Sequence, residues 1–290
     1  MPHGVLLTVA YDGTDFHGFQ AQAGLRCVQS ELARVAGHIA QHPVTVLGAS
    51  RTDAGVHAEG QVVVFGTDRE LSPRRWVQAL NRYLPPDIAV RAATPCAPDY
   101  QPRFDARDKV YRYLFHLGAV RDPLLRQRAW HLGKQIPRVF PKRDRLDGGR
   151  HALDLEAMHR CAETFVGTHD FRAFRAASDT RKDTVRTMLR VEVREGFAGD
   201  PELMALEVHG TAFMKNMVRI LAGTVIAAGR GRLTPAEVGV LLTPGGNRQH
   251  AGVTAPAHGL TLVSVRLGRL DEVAPGSHQG RHARSEESPG

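Results

Sequence analysis

Fourteen residues, Gly48-Ala-Ser-Arg-Thr-Asp-Ala-Gly-Val-His-Ala-Glu-Gly-Gln61, stand between two apolar runs, Val44-Thr45-Val46-Leu47 and Val62-Val63-Val64-Phe65. Apolar runs bounded by glycines read as strands, here joined by a loop. The loop carries Arg51, Thr52 and Asp53 in succession, with glycines at 48, 55 and 60. A carboxylate on a loop between two strands sits where rigid frames often present catalytic groups. An ordinary glycine turn with a solvent-facing Arg51–Asp53 pair suits the same residues. From spacing alone that turn is the plainer reading.

The rest of the chain repeats a rhythm around this loop. Val5–Ala10 reads as a strand, Tyr11–Thr14 as a turn, and Val28, Leu32, Val35 and Ile39 recur at helical spacing. Ser72-Pro73 is an N-cap followed by proline at the first helical position, and that helix stops at Pro85-Pro86. Ile88–Ala93 and Lys109–His116 read as strands, the second with Lys109, Tyr111, Tyr113 and Phe115 on one face. Leu153–Phe165 predicts a helix. Val185–Val193 predicts a strand with Val185, Leu189, Val191 and Val193 on one face, paired with Glu202–His209 through a glycine-containing loop. Ala212–Ala228 predicts a long helix, Thr234-Pro235 starts a shorter one, and Leu260–Leu267 closes the pattern as a strand. Two successive strand–helix–strand–strand–helix–strand units predict an α+β fold with antiparallel sheets. They divide into residues 1–105 and 106–270, with the boundary near Pro98–Asp108. A basic insert runs over about 121–150, and 271–290 reads as a disordered tail.

Composition narrows the function. A hydrophobic share of 42% with 23% charged residues is that of an ordinary globular chain. No apolar run is long enough to span a bilayer, and the N-terminus lacks the basic region of a signal peptide. Cys27, Cys96 and Cys161 are too scattered for a disulfide framework. A cytoplasmic protein with reduced thiols is expected. The net charge of +8 is concentrated: Arg121–Arg150 holds nine basic and three acidic residues, and Phe171–Arg190 holds six and two. Clustered positive charge is the footprint of a nucleic-acid partner, although a solvated basic surface has the same composition.

No metal-ligand spacing, phosphate loop or nucleophile elbow is present. His57 is the one histidine near Asp53, and a core histidine is its plainer reading. What remains for chemistry is Asp53 as a lone carboxylate. In Thr211–Thr224, Arg219 lies between Val218 and Ile220 within an apolar helix. A partly buried arginine calls for a carboxylate, though pairing alone does not name which one. Ala222 and Gly223 continue its side with little bulk, so another backbone can approach closely.

Tyr11-Asp-Gly-Thr-Asp-Phe-His-Gly-Phe-Gln-Ala-Gln22, Arg51-Thr-Asp-Ala-Gly-Val-His-Ala58 and Asn81-Arg-Tyr-Leu-Pro-Pro-Asp-Ile88 resemble, in order, the TruA family of tRNA pseudouridine synthases. So do Phe104–Arg107, Lys109–Tyr113, Gly167–Phe174, Asn216–Gly223 and Ala255–Leu260. Ser50 stands where that family often has glycine, and Phe19 where it usually has tryptophan. The resemblance implies two related ferredoxin- or RRM-like halves whose sheets join across a central basic cleft. It also implies a homodimer that uses neither metal nor organic cofactor. The implied substrate is uridine at positions 38, 39 and 40 of the tRNA anticodon stem-loop.

By resemblance Asp53 is the catalytic aspartate and Tyr111 packs on the target base. Arg219 pairs with the aspartate, Arg51 helps hold the flipped nucleotide, and Leu260 lines the uracil pocket. Gly55 and Gly60 are expected to let a nucleotide approach the backbone. Lys142, Arg143, Arg145 and Arg172 are expected to contact RNA phosphates, on their local charge. Two rivals stay open: a catalytically idle RNA-binding protein, and a pseudouridine synthase acting at other RNA sites.

Overall fold

Local chemistry sets most element boundaries in the computed structural model, which describes residues 3–133 and 153–268. The expected Lys142–Arg150 loop and the tail after Asp271 lie outside those residues. Helix α1, Val28–Ala40, buries Val28, Leu32, Val35 and Ile39 on one stripe. Helix α2, Pro73–Tyr83, starts with the Arg75 amide donating to Ser72 Oγ and Pro73 in the first turn. A short helix α3 spans Pro102–Asp105. Helix α4, Leu155–Thr164, is capped by Asp154, which accepts from the Ala157 amide. Helix α6, Pro235–Leu241, opens with a reciprocal capping box between Thr234 and Glu237.

One ten-stranded, mostly antiparallel sheet organises the fold. Its strands are β1 His3–Tyr11, β2 Leu47–Gly48, β3 His57–Thr67, β4 Ile88–Cys96 and β5 Ala106–His116, followed by β6 Trp130–His131, β7 Gly167–Asp170, β8 Val185–Glu195, β9 Leu203–Gly210 and β10 Leu260–Leu267. The spatial order is β4-β1-β3-β10-β5-β9-β8-β7, with β2 beside β3 and β6 beside β5. The last strand in sequence thus lies in the middle of the sheet, parallel to β3 and antiparallel to β5.

Alternation divides the sheet's two faces. Val5, Leu7 and Val9 of β1 join Val63 and Phe65 of β3 in the main core, together with α1, α2, α4, α6 and α5, Met217–Gly229. Leu6, Val62 and Val64 point to a smaller cluster with Ala49, Tyr100 and Leu267. Among the described residues no helix is long and apolar enough to cross a membrane. All three cysteines are free, with Cys27 and Cys161 buried.

Three expectations about elements need correction. The run Val44–Leu47 forms strand only at Leu47–Gly48, because the Val46 carbonyl accepts from Gln29 Nε2 of α1 instead of from a neighbouring strand. In β8 the predicted inward face holds only for Val191 and Val193. A bulge between Met188 and Arg190 reverses the alternation, so Arg186 and Met188 are buried while Val185 and Leu189 are exposed. Helix α5 begins at Met217, not Ala212, because Asn216 takes a left-handed φ of 61° that interrupts any helix running through it.

Candidate active site

Asp53 lies on the loop from β2 to β3, and buried polar groups hold that loop from both ends. The Gln61 side chain accepts from the Ser50 amide at 3.3 Å and donates to the Ser50 carbonyl at 2.8 Å. Tyr11 and Thr52 share a hydroxyl–hydroxyl bond of 2.8 Å, and Gln61 Nε2 reaches Tyr11 Oη at 3.4 Å. The Phe19 amide donates to the Thr52 carbonyl, and the Gly55 amide to the Phe16 carbonyl. Gly18 has φ 92°, and a Cβ there would stand 2.8 Å from the Thr52 oxygen. Only glycine allows that approach. With its neighbours fixed, the half-buried Asp53 side chain makes no hydrogen bond or ion pair with the described residues.

Tyr111 faces this loop from β5. Its hydroxyl lies 3.0 Å from Ser50 Oγ, and its ring meets Phe213 edge-on at 4.9 Å between centroids. Burial pushes the Tyr111 phenol up to about 12, the Asp53 charge adds to the rise, and the Ser50 bond opposes it. Tyr111 is therefore a neutral hydroxyl at ordinary pH, beside an acid. Leu262 of β10 pairs with Tyr111, and buried Leu260 pairs with Tyr113.

Arg219 occupies the first turn of α5. Its Nε donates to the Ala255 carbonyl at 2.7 Å and its Nη1 to Asn216 Oδ1 at 2.9 Å. No ion pair between Asp53 and Arg219 forms among the described residues, so the expected pairing is absent. The guanidinium is instead anchored to the 255–257 segment, whose Ala257 stands 3.2 Å from where a Cβ on Gly55 would lie. The close backbone approach expected beside Arg219 does occur: a Cβ on Gly223 would meet the Val253 oxygen at 1.9 Å. Gly55 serves its own φ of 77°. At Gly60 the close neighbour is the β10 backbone at Val263, not open space for a nucleotide.

The remaining residues separate. Arg51 is exposed and makes no hydrogen bond or ion pair with the described residues. Arg172 is paired with Asp170 just past the end of the edge strand β7. Lys142, Arg143 and Arg145 lie outside the described residues. His57 is a core residue: Nδ1 accepts from the Gly13 amide and Nε2 donates to the His258 carbonyl, each at 3.0 Å. Burial lowers its pKa, and this single neutral tautomer satisfies both bonds. Among the described residues no three His, Cys, Asp or Glu side chains converge as a metal site.

Sequence reasoning passed over two features. One is the Tyr11–Thr52–Gln61–Ser50 network, whose signal is two polar residues, Tyr11 and Gln61, abutting apolar runs. The other is a cationic group at the loop's edge. Lys109 Nζ donates to the Ala49 carbonyl at 3.2 Å. Burial brings its ammonium down to about 8, helped by the nearby charges of Arg103 and Arg181. Lys109 shares a strand face with Tyr111, so the alternation already placed the two together.

A family model described as tRNA pseudouridine synthase matches residues 7–105 and 161–267. The chain belongs to the tRNA pseudouridine synthase family. The matched residues include the Asp53 loop, α5 with Arg219, and β10 with Leu260. The chain is similar to tRNA pseudouridine synthase A of Geobacter sulfurreducens, with 39% identity over 91% of this chain and 99% of the relative. The corresponding protein of Shouchella clausii is 41% identical over 90% of this chain and 92% of its own. That of Pelobacter propionicus is 40% identical over 90% and 98%. Pseudouridine synthases are isomerases, and a site with a lone carboxylate and a neutral phenol suits a reaction with no redox change.

Proposed function

We propose that the chain converts uridine to pseudouridine in tRNA, at positions 38, 39 and 40 of the anticodon stem-loop, with Asp53 as the catalytic residue. The reaction breaks the N1–C1′ bond, turns the uracil and joins C5 to C1′; the proton lost from C5 is balanced by the one gained at N1. Atoms and electrons balance within the substrate, so the proposal needs no cofactor. Asp53 acts either as nucleophile toward sugar or base, or by abstracting a sugar proton. The target base must leave its stack, at a cost of about a few kcal/mol. The Tyr111 ring offers a stacking face that offsets part of this. Leu260 supplies an apolar wall, Arg51 a cation without a partner among the described residues for the nucleotide, and Arg219 positive charge held by Ala255 and Asn216.

The observation that carries this reading is the family match together with a carboxylate, unpaired among the described residues, on a loop fixed by four buried polar side chains. A residue that served only a turn would not need that frame. The same proposal includes two related halves, residues 1–105 and 106–270, meeting across a basic cleft, and a homodimer. Lys109 and Arg103 contribute charge beside the loop, and Arg181 does so only in part, being ion-paired with Asp179. Lys142, Arg143 and Arg145 join them on sequence charge alone, and Arg172 would do so only by leaving Asp170.

Asp53→Ala is expected to fold and to bind tRNA while forming no pseudouridine. Turnover by that variant would falsify the assignment of Asp53. Mapping pseudouridine in tRNA from cells lacking the protein tests the positions: loss outside the anticodon stem-loop alone would move the substrate elsewhere.

A further inference from the structure

Three of the five buried side-chain nitrogens without a hydrogen-bond partner among the described residues sit on two residues that line one cleft. They are Arg230 Nε, Arg230 Nη2 and Trp130 Nε1. The cleft has a volume of about 230 Å³ and is also lined by Arg232, His250, Ile226 and Val253. Among the described residues no carboxylate lines it. It lies at the C-terminal end of α5, whereas Arg219 is in the first turn. Eleven residues of helix separate the two arginines by roughly 16 Å.

A buried N–H donor without a partner costs about 1–3 kcal/mol, and more when it is charged. Burial lowers the Arg230 pKa, and the neighbouring charge of Arg232 lowers it further. A cation at a helix C-terminus balances the helix dipole. That role leaves the guanidinium donors unused, because the Ile226 and Ala228 carbonyls are already taken by the amides of Arg230 and Gly231. Two adjacent guanidinium groups, an indole N–H and no acid describe a place prepared for an anion. The arginine fork matches an oxyanion's spacing. Donors from Arg230, Arg232 and Trp130 serve a three-oxygen group better than a planar carboxylate. The space also suffices, since one water occupies about 30 Å³.

We propose that this cleft binds a phosphate group, held by Arg230 and Arg232 with Trp130 Nε1 as a third donor. The group is either a phosphodiester of the bound RNA or free inorganic phosphate. The RNA case rests on the function proposed above, while the free-phosphate case does not.

The full chain, its Arg230→Gln variant and its Arg230→Lys variant are compared in two measurements. The first is thermal melting in inorganic phosphate and in chloride at equal ionic strength. The second is tRNA affinity against salt concentration, without phosphate. Free phosphate is indicated if it raises the melting temperature of the parent and the lysine variant by roughly a few degrees more than that of Arg230→Gln. An RNA phosphate is indicated if Arg230→Gln weakens tRNA several-fold and reduces the salt slope by about one, with kcat unchanged. If Arg230→Gln does not fold, Arg232→Gln carries the same measurements. Parent and glutamine variant behaving alike in both would overturn the proposal.

Discussion

The Ser50 hydroxyl lies 3.0 Å from the Tyr111 hydroxyl and joins the loop that carries Asp53 to a strand at the centre of the sheet. Both groups are buried, and the Tyr111 hydroxyl has no other hydrogen-bond partner among the described residues. This single bond sets the direction of the phenol relative to the carboxylate.

Ser50→Ala leaves the Tyr111 hydroxyl buried and unsatisfied, at a cost of about 1–3 kcal/mol. Chemical denaturation reads that loss. Pseudouridine formation by the variant is expected to fall several-fold through kcat, since the ring loses its fixed orientation. Unchanged stability together with unchanged kcat would remove the bond from any role.

Gly223→Ala places a methyl 1.9 Å from the Val253 oxygen, backbone against backbone. Neither side can yield without moving α5 away from the 252–255 segment that anchors Arg219. Destabilisation of about 3 kcal/mol or more is expected, at the upper end for overpacking. A thermal melt within a degree of the parent would contradict this contact.

Lys109 gives a pH dependence with a defined sign. Its folded pKa of about 8 lies below the ordinary 10.5, chiefly through burial. The unfolded chain therefore binds more protons between those values, and stability rises with pH across that window. The penalty of the charged form is complete below about 8. Lys109→Met should raise the melting temperature at pH 7 and shrink the gain between pH 8 and 10. A parallel pH profile for parent and variant would assign the titration elsewhere.

Elements set by neighbouring residues were legible in the sequence. Ser72-Pro73 and Thr234-Pro235 mark helix starts by chemistry that acts within one turn. The strand face of Tyr111, Tyr113 and Phe115 follows from alternation alone. What depends on distant partners was not legible. The β8 bulge is set by its pairing with β9, and Val44–Leu47 loses a strand bond to Gln29 of a helix. At the site, Asp53, Tyr111 and Arg219 could be singled out from family motifs. Their geometry could not, because Arg219's partners are a carbonyl thirty-six residues on and an asparagine whose left-handed backbone no spacing rule announces.

The position of β10 bears on how the enzyme comes into being. Until Leu260–Leu267 is in place, the facing edges of β3 and β5 are paired only by the two-residue strands β2 and β6, and Leu260 cannot face Tyr113. Pairing β10 with β3 joins residues about two hundred positions apart, a slow, non-local step. Either flank can pair its own strands first, yet the Asp53 loop and Tyr111 lie on different flanks. The two therefore come to share one sheet only when a single strand closes the seam.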